Sequence, residues 1–164
     1  MPDVRRNNPV YSPMATSTLD TARQLRATID SVRPALLRIE DSLAASRWRG
    51  PDTWSRNEIL GHLIDSASNN HQRFVRTIAH GGWVGPGYEQ DKWVNVGAYQ
   101  QQPWTTLVDI WWHMNVLVAQ VLEHAPSERA EAQVTIGDDA PVTLAFLADD
   151  YVVHMTRHLG QILD

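Results

Sequence analysis

The stretch Trp54-Ser55-Arg56-Asn57-Glu58-Ile59-Leu60-Gly61-His62-Leu63-Ile64-Asp65-Ser66 carries the clearest helix start in the chain. Ser55 with Glu58 three residues on is the pattern of a capping box, in which a hydroxyl and a carboxylate each satisfy an orphan N–H of the first turn. Ile59, Leu60, Leu63 and Ile64 then follow at helical spacing, and the helix is expected to reach about His80, where Gly81-Gly82 stops it. Upstream, Leu19, Ala22, Leu25, Ile29, Val32, Leu36, Ile39 and Leu43 recur at steps of three and four, predicting a helix from Thr18 to about Ala45 with those residues on one face. Pro34 lies inside it and marks either a kink or a junction of two helices. Arg47 to Trp54 is read as a connection. Downstream, Gly81 to Gln102 holds five glycines and Pro86 and reads as a long irregular segment carrying Trp83, Tyr88, Trp93 and Tyr99. Pro103, at a first helical position, opens a third helix, Trp104 to about His124, which Pro126 closes. In the polar stretch that follows, Ala132 to Ile136 is a candidate short strand, and Thr143 is placed to cap a last helix, Leu144 to Leu163. The expectation is an all-α chain, a four-helix bundle with a long crossover loop over residues 17–164, preceded by a flexible N-terminal arm at residues 1–16.

Composition narrows the function. The chain has 164 residues, 43% hydrophobic and 20% charged, enough apolar material for one core. Its formal net charge is −5 and its basic residues cluster no further than pairs such as Arg5-Arg6, so no electrostatic surface for nucleic acid is expected. Apolar runs are a few residues long, far below the roughly 18 that span a bilayer, so no membrane partner is expected and the localisation is read as cytoplasmic. There is no cysteine, which excludes disulfides, iron–sulfur ligation and an internal thiol nucleophile. Any thiol chemistry here must draw its sulfur from outside.

Seven histidines are present. Only His154 and His158 have the four-residue spacing that puts two imidazoles on one helix face, and about 0.3 such pairs are expected by chance, so the pair alone is weak evidence for a metal. Met155 and Thr156 replace the glutamate of a metalloprotease motif, which excludes that chemistry. His62 is the best third candidate: Asp65, Ser66, Asn69 and Arg73 follow it at steps of three and four, a polar track beside the apolar stripe that suggests a lined cavity. His71 falls about 180° round that helix and His80 about 27 Å along it, so neither can join His62. His124 suits a helix C-terminus, and His113 beside two tryptophans reads as packed or half-exposed. The alternative is that His62, His154 and His158 are independent core or surface histidines.

The segment from Trp54 to Ser66 with Arg73-Phe74, the ending Asp150-Tyr151-Val152-Val153-His154 through His158-Leu159-Gly160-Gln161-Ile162-Leu163, and the middle Tyr99 and Pro103-Trp104 to Leu117 together resemble the DinB-like metal-binding bundle superfamily, close to its YfiT-type members. The resemblance covers most of residues 33–164. It implies an up-down-down-up four-helix bundle, a homodimer, and a divalent metal ion held by His62 from the second helix and His154 and His158 from the last. Some relatives join low-molecular-weight bacterial thiols such as bacillithiol or mycothiol to electrophiles, and a related branch isomerises maleylpyruvate with mycothiol.

Three neutral imidazoles leave an ion its full charge and an open position, the pattern of a catalytic site, where a bound water or thiol is deprotonated near neutral pH. The expected cofactor is a divalent metal ion, zinc or nickel ahead of iron or manganese. Asp150, four residues before His154, and Asp65, three after His62, are candidates to orient a ligand imidazole. Asp65 and Asn69 are alternatively the catalytic pair, facing the open position as proton acceptor and substrate hydrogen-bonder, and Arg73 is either a holder of a substrate carboxylate or one side of an interhelical ion pair. Trp104, Trp111 and Trp112 are expected to pack between helices, and Trp83, Tyr88 and Trp93 to rim a cavity or a dimer contact. Two reactions on a small-molecule substrate follow, thiol S-transfer and hydrolysis of a small ester or amide, beside a third reading as a bundle that binds metal or ligand without catalysis.

Overall fold

A computed structural model describes residues 17–164; the arm expected at residues 1–16 lies outside the described residues. Ser17 caps helix α1 (Thr18–Leu36) by accepting from the Asp20 N–H at 3.1 Å. Pro34 falls in the last turn of α1 and the helix ends two residues later, so the predicted helix from Thr18 to Ala45 is two pieces, the second being the five-residue α2 (Asp41–Ala45). The intervening turn resets the rotation of the chain. Leu43 therefore leaves the stripe of Ala22, Leu25, Ile29 and Leu36 and is 49% exposed, and Leu19, in the first turn, is exposed as well.

Helix α3 (Arg56–His80) starts on the expected box, with the Ser55 N–H donating to Glu58 Oε2 at 2.8 Å and the Glu58 N–H donating to Ser55 Oγ at 3.3 Å. It ends at Gly81, whose φ of 80° is left-handed backbone that a glycine adopts without strain. The segment read as irregular is more ordered than expected. It holds strand β1 (Gly82–Gly85), helix α4 (Gln90–Gly97) and a 3-10 turn at Tyr99–Gln101. Helix α5 (Trp104–Glu123) begins one residue after Pro103, which has no N–H or capping side chain to offer; Asp41 of α2 accepts from the Trp104 N–H instead, at 2.9 Å. Strands β2 (Gln133–Ile136) and β3 (Val142–Thr143) follow, and Thr143 accepts from the Phe146 N–H to cap α6 (Leu144–Leu163), as its sequence position suggested.

Directions follow from the contacts. Trp104 Nε1 donates to the Leu36 carbonyl, Arg33 pairs with Asp109 and Arg26 with Glu123, so α1 and α5 run antiparallel. Asn57 near the start of α3 donates to the Gln102 carbonyl just before α5, so these two are parallel. Arg56 donates to the Ile162 carbonyl while Phe74 meets Tyr151, so α6 runs antiparallel to α3. The ring of neighbours is α1, α5, α3, α6, and the arrangement is up-down-down-up, with residues 81–103 crossing back along the bundle between two parallel helices. A small sheet of order β1-β2-β3 closes the end where α3 and α5 finish, with β1 parallel to β2 and β3 antiparallel to it.

The core is one cluster drawn from every long helix, including Leu25, Ile29, Leu60, Phe74, Trp104, Trp111, Leu144 and Met155, all fully buried. Trp112 packs only partly, donating to Asp30 at 3.0 Å under the Arg33 guanidinium. Among the described residues no helix is long and apolar enough to cross a membrane.

Candidate metal centre

His62 sits in the second turn of α3, and the antiparallel α6 carries His154 and His158 past it on successive turns. The stripe Ala148, Val152, Met155, Leu159 and Ile162 packs α6 into the core, and the two histidines lie beside it, half-buried. His62 is fully buried. The ring centroids are 5.1 Å apart for His62 and His154, 4.9 Å for His62 and His158 and 4.6 Å for His154 and His158. One nitrogen from each ring lies within 4.8 Å of the others.

Burial, and then the neighbouring His154 and His158, push the His62 pKa down to about 3. His158 is also lowered, chiefly by burial, with Gln161 opposing and Arg157 adding. Both imidazoles are thus held neutral at physiological pH, the form that ligates a metal. Gln161 Oε1 lies 2.8 Å from His158 Nδ1, which sets an Nδ1–H donor and leaves the Nε2 lone pair outward. His62 Nε2 and His154 Nε2 are 3.2 Å apart. Two nitrogens on one tetrahedral ion at roughly 2.0–2.1 Å lie about 3.3 Å from each other, which the His62–His154 pair matches, and the His158 nitrogen lies within 4.8 Å of both, so the group could hold a divalent cation.

The other predicted residues are placed as follows. Asp65 is buried one turn from His62, and its Oδ1 accepts from the Tyr99 hydroxyl at 2.5 Å while its buried Oδ2 has no hydrogen-bond partner among the described residues. Asp65 therefore does not orient His62, whose buried Nδ1 is also without a partner; the Trp54 ring, 5.2 Å from the imidazole, is what packs against it. Asn69 donates to the Asp65 backbone carbonyl at 2.9 Å and lines a cleft further along α3 with Arg73 and Trp83. Asp150 is exposed on α6, one turn before His154. His71, His80, His113 and His124 stand apart from the three, and His113 is exposed beside Trp112 rather than packed.

Two contributors were named in the sequence without a role at the site. Tyr99 comes from the crossover, and its signal was Gly61: a Cβ there would lie 2.1 Å from the Tyr99 ring, so a glycine in mid-helix marks the place where another chain segment lies close. Gln161 had only its position three residues after His158, which on a helix brings the two side chains together.

A scan against protein-family models finds no match, and no curated protein matches. Among solved structures the fold is similar to that of YfiT from Bacillus subtilis, described as a probable metal-dependent hydrolase with an unusual four-helix bundle topology. The TM-score is 0.73 at 14% identity, over 95% of this chain and 87% of that one. The likeness is one of fold.

Proposed function

On this YfiT-like four-helix fold we propose a metal-dependent enzyme acting on a small molecule, with His62, His154 and His158 holding one divalent cation. The observation that carries the reading is the meeting of three imidazoles from two antiparallel helices around a fully buried, neutral His62. A cation bound there supplies Lewis acidity and makes water or a thiol nucleophilic near neutral pH. The protein's own groups do the rest. Gln161 holds the His158 tautomer, Trp54 packs against His62, and Asp65, fixed by Tyr99 through one oxygen, has its other, buried oxygen without a described partner and is the proposed proton acceptor once substrate reaches it. Asn69 extends that polar face toward the rest of the substrate.

Hydrolysis of a small ester or amide is the first reaction on this reading, in keeping with the description of the YfiT neighbour. Thiol S-transfer is the second; with no cysteine in the chain its sulfur would come from a cosubstrate, and the same absence is equally compatible with hydrolysis. The homodimer implied by the sequence resemblance belongs to the same proposal and is read by light scattering. The test is metal content by plasma mass spectrometry on untagged protein never exposed to nickel, for wild type, His62→Ala and His158→Ala. Near-stoichiometric metal in wild type and loss in both folded variants support the site; no uptake of zinc, nickel, iron or manganese overturns it. Loaded protein is then assayed on an ester panel, and on monochlorobimane with bacillithiol or mycothiol. Silence in both with metal bound leaves a binding protein.

A further inference from the structure

A cleft of about 170 Å³ lies along the C-terminal half of α3 beside β1, lined by Asn69, Gln72, Arg73, Arg76, Trp83 and Pro86. We infer that it binds the oxyanion end, carboxylate or phosphate, of the same small molecule whose reacting end meets the three histidines. The anion site stands on the cleft itself, and only its link to the histidines rests on the metal-centre proposal.

The first argument is charge. The chain carries a formal net charge of −5, yet among the described residues two guanidiniums line this cleft and no carboxylate does. Arg76 contacts Gln72 Oε1 at 3.4 Å and forms no ion pair with a described carboxylate. Arg73 is 7% exposed and reaches Asn70 Oδ1 at 3.4 Å, so it forms part of the buried wall, and the guanidinium that faces an entering ligand is that of the exposed Arg76. Guanidinium forks and carboxamide N–H donors are the groups that recognise a planar or tetrahedral oxyanion, and the indole closes the cleft as a wall whose N–H edge can donate. Trp83 is preset: a Cβ on Gly85 would lie 1.9 Å from the indole, so the missing side chain lets the ring fold back over its own strand as a wall. The volume is too small for a whole ligand, for which roughly 300 Å³ or more is the rule, and suits one end of a molecule.

The second argument is position. Asn69 and Arg73 are seven and eleven residues beyond His62, within about 20° of it around the helix and roughly 10 and 16 Å along it. The polar side chains of this stripe, His62, Asp65, Asn69 and Arg73, thus run from the imidazoles to the cleft. The ligand class that fits is an extended small molecule with its oxyanion two to three helical turns from the group that reacts.

The test uses the full chain, 15N-labelled and zinc-loaded, titrated with inorganic phosphate and separately with acetate at constant ionic strength. The readout is the Trp83 indole N–H resonance, assigned by its loss in Trp83→Phe. A saturable shift is expected for at least one of the two anions, weakened about tenfold in Arg76→Ala and unchanged in Arg23→Ala; the tighter anion identifies the source. No saturable shift, or equal binding by Arg76→Ala, overturns the inference. Arg76 is exposed, so its variant keeps the fold even where Arg73→Lys does not. The link between the sites is read with suberic monohydroxamate, a chelating group and a carboxylate separated by six methylenes, against octanohydroxamate. Tighter binding of the former by about tenfold in wild type, and equal binding in Arg76→Ala, supports one bipolar ligand; equal binding in wild type overturns that link. Phosphate binding in a protein that takes up no metal would leave the cleft standing and remove the metal reading alone.

Discussion

The Tyr99 hydroxyl donates to Asp65 Oδ1 across 2.5 Å while its ring fills the space that a side chain at Gly61 would need. One residue of the crossover thereby touches α3 immediately before His62 and three residues after it. The approach has a backbone cost. Ala98, next to Tyr99, sits at φ 49° and ψ 36°, left-handed backbone that costs a non-glycine residue about 1 kcal/mol. A Cβ at Gly97 would also meet the Tyr99 ring, at 2.5 Å.

Gly61→Ala is expected to displace Tyr99 and break its bond to Asp65. An alanine gains about 1 kcal/mol in a helix interior, but overpacking against a ring costs roughly 1–3 kcal/mol, so the variant should be less stable than wild type. Gly160→Ala is the contrasting case, since nothing lies within 4 Å of a Cβ there, and should gain up to about 1 kcal/mol. Urea denaturation of both compares them, and a Gly61→Ala protein as stable as Gly160→Ala would refute the packing account.

Metal-free protein should lose stability on acidification between about pH 6.5 and 3. His62 has its folded pKa pushed down to about 3 from 6.5, and His158 is lowered as well. In that window the unfolded chain binds more protons than the folded one, so stability rises with pH, by at most about 1.4 kcal/mol per unit for each group. Above pH 6.5 the contribution is constant. Asp65, raised by burial against the opposing Tyr99 bond, works the other way above the ordinary carboxylate range and offsets part of the slope. His62→Gln should flatten the profile of melting temperature against pH; an unchanged slope would place the effect elsewhere.

Gln161→Leu should weaken metal binding 10- to 100-fold, the loss typical when the hydrogen bond to a ligating imidazole is removed. Gln161→Glu keeps an acceptor at the same reach and should stay near wild type. Competition with a chromophoric chelator measures both, with helical content by circular dichroism as the check on folding.

Tyr151→Phe should cost about 1–3 kcal/mol, because the buried Tyr151 hydroxyl donates to Asn115 Oδ1 at 2.5 Å and its removal orphans that oxygen. Tyr151→Phe with Asn115→Leu removes both partners and should recover part of the loss in the same denaturation assay.

Much of the helical frame was legible because helix signals are local. Ser55 with Glu58, Gly81, Pro126 and Thr143 act through groups within four residues, and each works in the structure as its position suggests. Pro34 announced a break whose place, after Leu36, depended on the turn that follows. The crossover was read as irregular because the partners of its order are remote: β1 pairs with a strand some fifty residues later, and the 3-10 turn at Tyr99 is held by side-chain bonds to α3 and to Ala45.

The sequence by itself determined that His154 and His158 share a helix face and that His62 begins a polar track, since both follow from a fixed 100° per residue. Their meeting was decided only by the antiparallel packing of α3 on α6, which brings the second turn of one helix against the last turns of the other. The tertiary structure also gave Asp65 to Tyr99 rather than to His62 and left Asn69 on the wall of an arginine-lined cleft. Periodicity states which side of a helix a residue occupies; what stands opposite it is set by the packing of segments far away in the chain.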